Sequence, residues 1–200
     1  MIDFNTVTRF EQTVADFFGA GCAVAVDCCT HGIELLLRYH NIRTTSCPTR
    51  TYLSVPMTLK KLNIEFTWSS EPWAGYYGFA GTTIIDAASW WRAGGYVPGT
   101  EMVLSFQYQK PLKLGRGGMI LLEDPAVAEQ LRRMSYDGRT RGQGWQTQAI
   151  EQMGYHYYMT PETADQGLKK FQTMQHVRAQ SLESRDYPDL STLPVFVNEQ

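Results

Sequence analysis

Between Phe4 and Phe18 the apolar side chains Phe10, Val14, Phe17 and Phe18 share one face at helical spacing, and Gly19 and Gly21 follow as stops, so the pattern predicts an opening helix. The run CAVAV at Cys22 to Val26 has no polar position and reads as a short buried strand. It passes directly into CTHGIELLLRYHNI, where Ile33, Leu36, Leu37 and His40 recur at helical spacing. YLSVPMTLKKLNI predicts a helix from about Val55, with Pro56 tolerated in its first turn, and IEFTW predicts the next strand. TTIID, MVLSF and MILLE are further strands; the first ends at Asp86, and the last is reached through the glycine turn Gly115 to Gly118. DPAVAEQLRRM carries Asp124 as a cap and Pro125 at the first helical position. TPETADQGLKKFQTMQHVRAQSLE starts another helix, with Thr160 as cap, Pro161 first and Glu162 in the first turn. Strands alternating with helices predict an α/β fold, a mostly parallel sheet flanked by helices. The expected organisation is one unit over residues 1–180 and an irregular tail over 181–200, where Pro188 and Pro194 fall.

Composition changes this picture little. A chain of 200 residues, 43% hydrophobic and 19% charged, suits one globular unit with a real core. The formal net charge is -2 with both signs mixed along the chain, so no basic field favours nucleic acid as a partner. The amino end carries Asp3 and Glu11, unlike a secretory signal, and no apolar run is long enough to span a membrane; the expected location is cytoplasmic. Cys22, Cys28, Cys29 and Cys47 lack paired C-x-x-C spacing and are expected as buried free thiols, with no metal site.

In helix-covered sheets ligands gather outside the carboxyl ends of the strands, which singles out Cys28, Cys29 and Thr30, then Asp86, then Ser105 and Lys110. Pyridoxal phosphate needs a lysine for a Schiff base, a carboxylate to keep its ring nitrogen protonated, and small donors at a helix start for its phosphate. Lys110, Asp86, and Thr30 with Ser105 supply those groups in that order. Each has a bland alternative: a solvated surface lysine, a turn aspartate, a simple cap. Their combination at successive strand ends favours the cofactor.

The segment from Thr82 to Leu168 resembles the DegT and StrS type of sugar aminotransferases, pyridoxal-phosphate enzymes of the aspartate-aminotransferase fold (fold type I). The resemblance lies in IIDAAS, in SFQYQKPLKLGRGGMILLED, and in GYHYYMTPETADQGL; upstream, VDCCTHGIELLL is similar to the family's phosphate turn and PTRTYLS to its segment covering the cofactor ring. It implies a shortened large domain of that fold. It implies that Lys110 forms the internal aldimine and moves protons at the substrate α-carbon, that Asp86 pairs with the ring nitrogen, and that Thr30 and Ser105 hold phosphate oxygens. Tyr52 would stack on the ring, Cys29 would lie at the phosphate in place of a glycine, and Ser89 would stand where a Gln or His bonds the ring. His156 would reach the phosphate of a neighbouring subunit, so a homodimer with shared sites is implied, taking an amino donor and a keto, sugar-type acceptor.

The sequence also departs from the family. The stretch between IEFTW and TTIID is short, most of the family's carboxy-terminal small domain is missing, and Tyr158 replaces an arginine of the motif. GYYGF at Gly75 to Phe79 is weakly similar to a family loop, and Trp90 and Trp91 are expected in packing or at a dimer surface. A second possibility is therefore a non-catalytic or structural relative that has lost substrate closure. A third, a phosphate-binding module built on GRGG, is weakened because that turn precedes a strand and not a helix.

Overall fold

Successive side chains of β1 (Cys22–Val26) point to opposite faces, and all but the first are buried, so this strand requires cover on both sides. Ala23 and Ala25 pack beneath Val7, Phe10 and Val14 of α1 (Phe4–Phe18), whereas Val24 and Val26 pack beneath Ile33 and Leu36 of α2 (Cys29–Tyr39). The computed structural model describes residues 3–174 and 182–197. In it, β6 (Glu101–Ser105) and β7 (Gly118–Leu122) repeat the same division, with Met102, Leu104, Met119 and Leu121 on the α1 side and Val103, Ile120 and Leu122 on the α2 side.

Strands β1, β7, β6, β5 (Ile84–Asp86) and β4 (Tyr77–Gly78) lie side by side in that order as a five-stranded sheet. The parallel set expected from the pattern is present in β1, β5 and β6, and the sheet is made mixed by β7 and β4, which run the other way. The reason is local. The connection from β6 to β7 contains no helix that could carry the chain across a face, so it turns and returns alongside. β2 (Thr44–Pro48) and β3 (Glu65–Ser69) form a separate parallel pair beside α3 (Ser54–Lys61). The sequence pattern does not announce β2 or β4: the first is polar and ends in proline, and the second is two residues long.

Helix α4 (Pro125–Ser135) begins as expected, the Asp124 side chain accepting from the Ala126 N–H at 2.8 Å. α5 (Pro161–Met174) lies against α1; the remainder of its expected span, residues 175–181, falls outside the described residues. The segment expected as an irregular tail contains short turns at Ser184–Asp186 and Leu190–Thr192 and a final α6 (Pro194–Val197). Trp91 is a core residue stacked on Phe17, and Trp90 packs edge-on against Tyr76. Among the described residues no helix is long and apolar enough to cross a membrane.

Because β1 is an edge strand, its outer backbone groups need partners. Buried Glu11 accepts from the Ala25 N–H at 2.9 Å and pairs with Arg132 and Arg141, while Arg132 donates to the Ala23 carbonyl at 2.8 Å. The opposite constraint acts at the start of β7. A Cβ on Gly118 would lie 2.6 Å from the Cys28 carbonyl carbon and 2.6 Å from the Cys29 nitrogen. Only a glycine lets the strand approach the first turn of α2 so closely. Gly118→Ala is expected to destabilise the protein by about 2 kcal/mol through this overlap, measured as a lowered urea midpoint; an unchanged midpoint would show that strand and helix can part freely.

Candidate functional site

The carboxyl ends of β1, β5 and β6 and the beginning of β7 meet at one end of the sheet, where Gly118 pairs with Val26 on one side and Ser105 on the other. A cavity of about 740 Å3 opens there. It is lined by Thr30, Ser54 and Ser105 on one part of its wall and by Asp86, Ser89 and Lys110 on another.

The first turn of α2 supplies backbone N–H groups that have no partner within the helix. Its cap is Cys28, whose sulfur accepts from the His31 N–H at 3.4 Å, so Thr30 is free to sit inside the turn. The Thr30 hydroxyl meets the Ser54 hydroxyl at 2.8 Å, which brings the starts of α2 and α3 to the same point. Ser105 ends β6, its hydroxyl oxygen accepting from the Gln107 N–H at 3.4 Å. A tight turn then follows, with the Lys110 N–H donating to the Gln107 carbonyl at 2.9 Å. The Lys110 side chain is half-buried against the cavity, and among the described residues its ammonium has no hydrogen-bond or ion-pair partner.

Asp86 ends β5 and is buried, at 5% exposure. One carboxylate oxygen accepts from the Tyr77 hydroxyl at 2.6 Å; the other accepts from the Ala88 N–H at 3.0 Å and lies 3.9 Å from the Cys29 sulfur. Burial raises the Asp86 pKa above its ordinary value, and the bonds from Tyr77 and Ala88, the Lys110 charge and the bond from Cys29 only partly offset this. The same burial pushes the Cys29 thiol and the Tyr77 phenol well above their ordinary values, with the Asp86 charge adding to both.

Of the residues expected from sequence, Cys29, Thr30, Tyr52, Asp86, Ser89, Ser105 and Lys110 all line this cavity. Their arrangement differs from expectation in two respects. The Cys29 side chain lies against Asp86 and the Val103 carbonyl, and the Ser89 hydroxyl donates to the Gly75 carbonyl at 3.0 Å. Tyr52 stands at the mouth, 58% exposed. His156 is outside the cavity: its side chain is 69% exposed and its Nδ1 lies 3.1 Å from Asp137. GRGG is a turn in the cavity wall, to which Gly115, Arg116 and Gly117 contribute, with Gly115 at φ 81° and Arg116 held by Asp27 at 2.7 Å.

Sequence reasoning missed Tyr77, Trp73 and the wall formed by Leu182, Asp186 and Tyr187. The last three come from the segment assigned to an irregular tail. It is strapped down by Gly75 N–H to Leu182 O at 2.9 Å, Ser184 N–H to Trp73 O at 2.9 Å, and Arg50 to Tyr187 O at 2.7 Å. Burial and the nearby Asp86 charge push the Tyr187 phenol up to about 12. No periodicity signals such docking, because its hydrogen bonds are made mostly by backbone groups and one arginine.

His31 occupies the cavity rim, stacked on Tyr157 at 3.6 Å with its Nδ1 2.7 Å from Asp27. Asp27, Cys28 and His31 bring potential ligand atoms within 4.8 Å of one another, but the Asp27 oxygens are already engaged by His31 and Arg116. Burial opposes a charge on the ring, yet the hydrogen bonds to Asp27 and Cys28 outweigh it and raise the His31 pKa from 6.5 to about 9. Folding therefore binds this proton more tightly than the unfolded chain does. The resulting stabilisation is full below pH 6.5 and is lost as pH rises through 9. The stability deficit of His31→Asn should shrink by about 1 kcal/mol between those limits in urea titrations; a deficit independent of pH would contradict the ion pair.

The sequence profile of the DegT/DnrJ/EryC1/StrS aminotransferase family matches residues 1–65 and 92–187. Asp86 and Tyr77 lie in the gap between those stretches. No curated protein matches the chain in sequence. Among solved structures, AtS13 from Actinomadura melliaura is 20% identical with a TM-score of 0.73, over 84% of this chain and 60% of that one. The sugar aminotransferase CalS13 from Micromonospora echinospora is 17% identical with a TM-score of 0.74, over 86% and 61%. A DegT DnrJ EryC1 StrS aminotransferase from Brucella abortus is 17% identical with a TM-score of 0.70, over 85% and 59%. The chain spans about 60% of the length of these structures, and at such identity the likeness concerns the fold. The profile, which covers most of the chain, goes further: the protein belongs to the DegT/DnrJ/EryC1/StrS aminotransferase family.

Proposed function

We propose that this protein binds pyridoxal phosphate and acts as an aminotransferase, taking an amino group from a small donor and delivering it to a keto acceptor of the sugar type. The observation that carries this reading is the convergence of Lys110, Asp86, Thr30 and Ser105, distant in sequence, on one cavity. The residues fit the cofactor chemically. Asp86 is a buried carboxylate that receives hydrogen bonds only from neutral groups, so a protonated ring nitrogen would supply the counter-charge it lacks. Thr30, Ser54 and Ser105 offer hydroxyls beside the start of α2, which suits a phosphate.

When bound, the cofactor supplies a ring that withdraws electrons from the substrate's amino-bearing carbon. The chain's residues do the rest. Lys110 would hold the cofactor through its amine and would carry a proton to and from the substrate α-carbon. Asp86 keeps the ring nitrogen protonated, Thr30 and Ser105 bind phosphate oxygens, and Tyr52 covers the ring from the mouth. Trp73 and Tyr187 help exclude water from the opposite wall.

We further infer a homodimer in which His156 serves the partner's phosphate. Trp145, Ile150 and Met153 expose 58%, 46% and 75% of their surface on the connection that leads to His156, an apolar display suited to self-association. The Asp137 bond to Nδ1 leaves the other ring nitrogen facing outward.

Borohydride treatment of the protein with pyridoxal phosphate, followed by peptide mapping, should place the label on Lys110; labelling spread over surface lysines, or none, would refute the cofactor assignment. An amino donor that discharges the bound cofactor separates an aminotransferase from a relative that only binds it. For the shared site, mixing Lys110→Ala with His156→Ala subunits should restore one tight, labelled site per mixed dimer. Monomers in sedimentation with cofactor still bound would contradict the dimer.

A further inference from the structure

The strongest unassigned feature is the polar chain behind Asp86. Tyr77 stands opposite Asp86 in the β4–β5 register, which fixes its phenol against the carboxylate. Its hydroxyl lies 2.6 Å from Asp86 Oδ2 and 2.6 Å from the Thr51 hydroxyl. All three residues are buried, at 8%, 5% and 2% exposure for Tyr77, Asp86 and Thr51. An ionised carboxylate can only accept, so the Tyr77 proton goes to Asp86, and the Tyr77 oxygen then accepts from Thr51. The direction of the whole chain is set by the charge at its end.

We propose that Tyr77, held by Thr51, is a positioning residue that keeps Asp86 ionised in its dry site and fixes the orientation of its carboxylate toward a cationic partner. The purpose assigned to that carboxylate rests on the cofactor reading above; the effect on its ionisation does not. The short Tyr77 bond falls on Oδ2, while Oδ1 accepts from the Ala88 N–H at 3.0 Å and lies 3.9 Å from the Cys29 sulfur, so the carboxylate is held at both oxygens and each keeps a lone pair for a cation. None of the other neighbours replaces Tyr77. Cys29 and Cys47 are buried thiols whose own pKa values are raised, Tyr187 is a weak acid at about 12, and Lys110 acts on Asp86 through its charge alone. Among the described residues these, with Tyr77, are the titratable groups facing Asp86 from α2, β2, the 182–187 segment, the loop after β6, and β4. Tyr77 is also the only one of them whose hydrogen bond to the carboxylate is short.

The test reads the carboxyl group itself. The infrared band of a protonated Asp86, identified by its loss in Asp86→Asn, is followed against pH in the cofactor-free protein. Tyr77→Phe should raise its midpoint by about one unit, because a short bond to the charged form is lost. Thr51→Val should raise it less, and Thr51→Ser should restore the parent value, which a purely structural role for Thr51 would not predict. With pyridoxal phosphate added, Tyr77→Phe should bind about tenfold more weakly. Should Tyr77→Phe not fold, Thr51→Val and Thr51→Ser carry the test. A midpoint unmoved in every variant overturns the proposal. A raised midpoint with no Lys110 labelling supports the role of Tyr77 and removes only the cofactor reading.

Discussion

A carboxylate taken out of water at the end of β5 is the constraint around which the site is built. Asp86 is nearly inaccessible, its hydrogen bonds come from neutral groups, and its pKa is raised by burial. Such a group is costly unless something cationic completes it. Its surroundings make sense on those terms. β4 exists as two residues long enough to set Tyr77 opposite Asp86, Thr51 backs Tyr77, and the segment around Leu182 and Tyr187 shuts the wall behind them. The Lys110 charge favours the ionised carboxylate, and among the described residues its ammonium makes no ion pair.

The other end of the cavity depends on close approach rather than charge. β7 must pass beside the start of α2, and Gly118 permits a separation that any side chain would prevent. The result places the helix start, Thr30 and Ser105 at one point, with Gly118 paired to strands on both sides. Beyond it, Asp27 balances the charges of His31 and Arg116 at the rim. The buried carboxylate of Asp86 and the hydroxyls of Thr30, Ser54 and Ser105 thus line one cavity.

How much of this was legible depended on which forces fix each part. Apolar periodicity located α1, β1, α2, β5, β6, β7 and α4, because burial on a sheet face or helix stripe leaves a direct trace in the sequence. Asp86, Ser105 and Lys110, singled out because they follow apolar strands, line one cavity. β7's direction was not legible from its composition, since a buried strand looks the same either way; the absence of a helix in the β6–β7 connection decides it. Periodicity gave no signal for Tyr77 or Tyr187: one is placed by a two-residue strand, the other by the Arg50 guanidinium and by backbone bonds of its segment to Trp73 and Gly75. Cys29 lines the cavity with its side chain turned to Asp86, a contact that sequence spacing does not signal, because it locates a helix start without saying which way its first side chain turns.

The central claim is that the dry carboxylate of Asp86 is completed by the ring nitrogen of pyridoxal phosphate. Nuclear magnetic resonance of the bound cofactor, isotopically labelled at that nitrogen, tests it most directly. The account predicts a protonated nitrogen at neutral pH in the parent protein and an unprotonated one in Asp86→Asn. A nitrogen that is unprotonated in the parent, or that has the same protonation in both proteins, would contradict it.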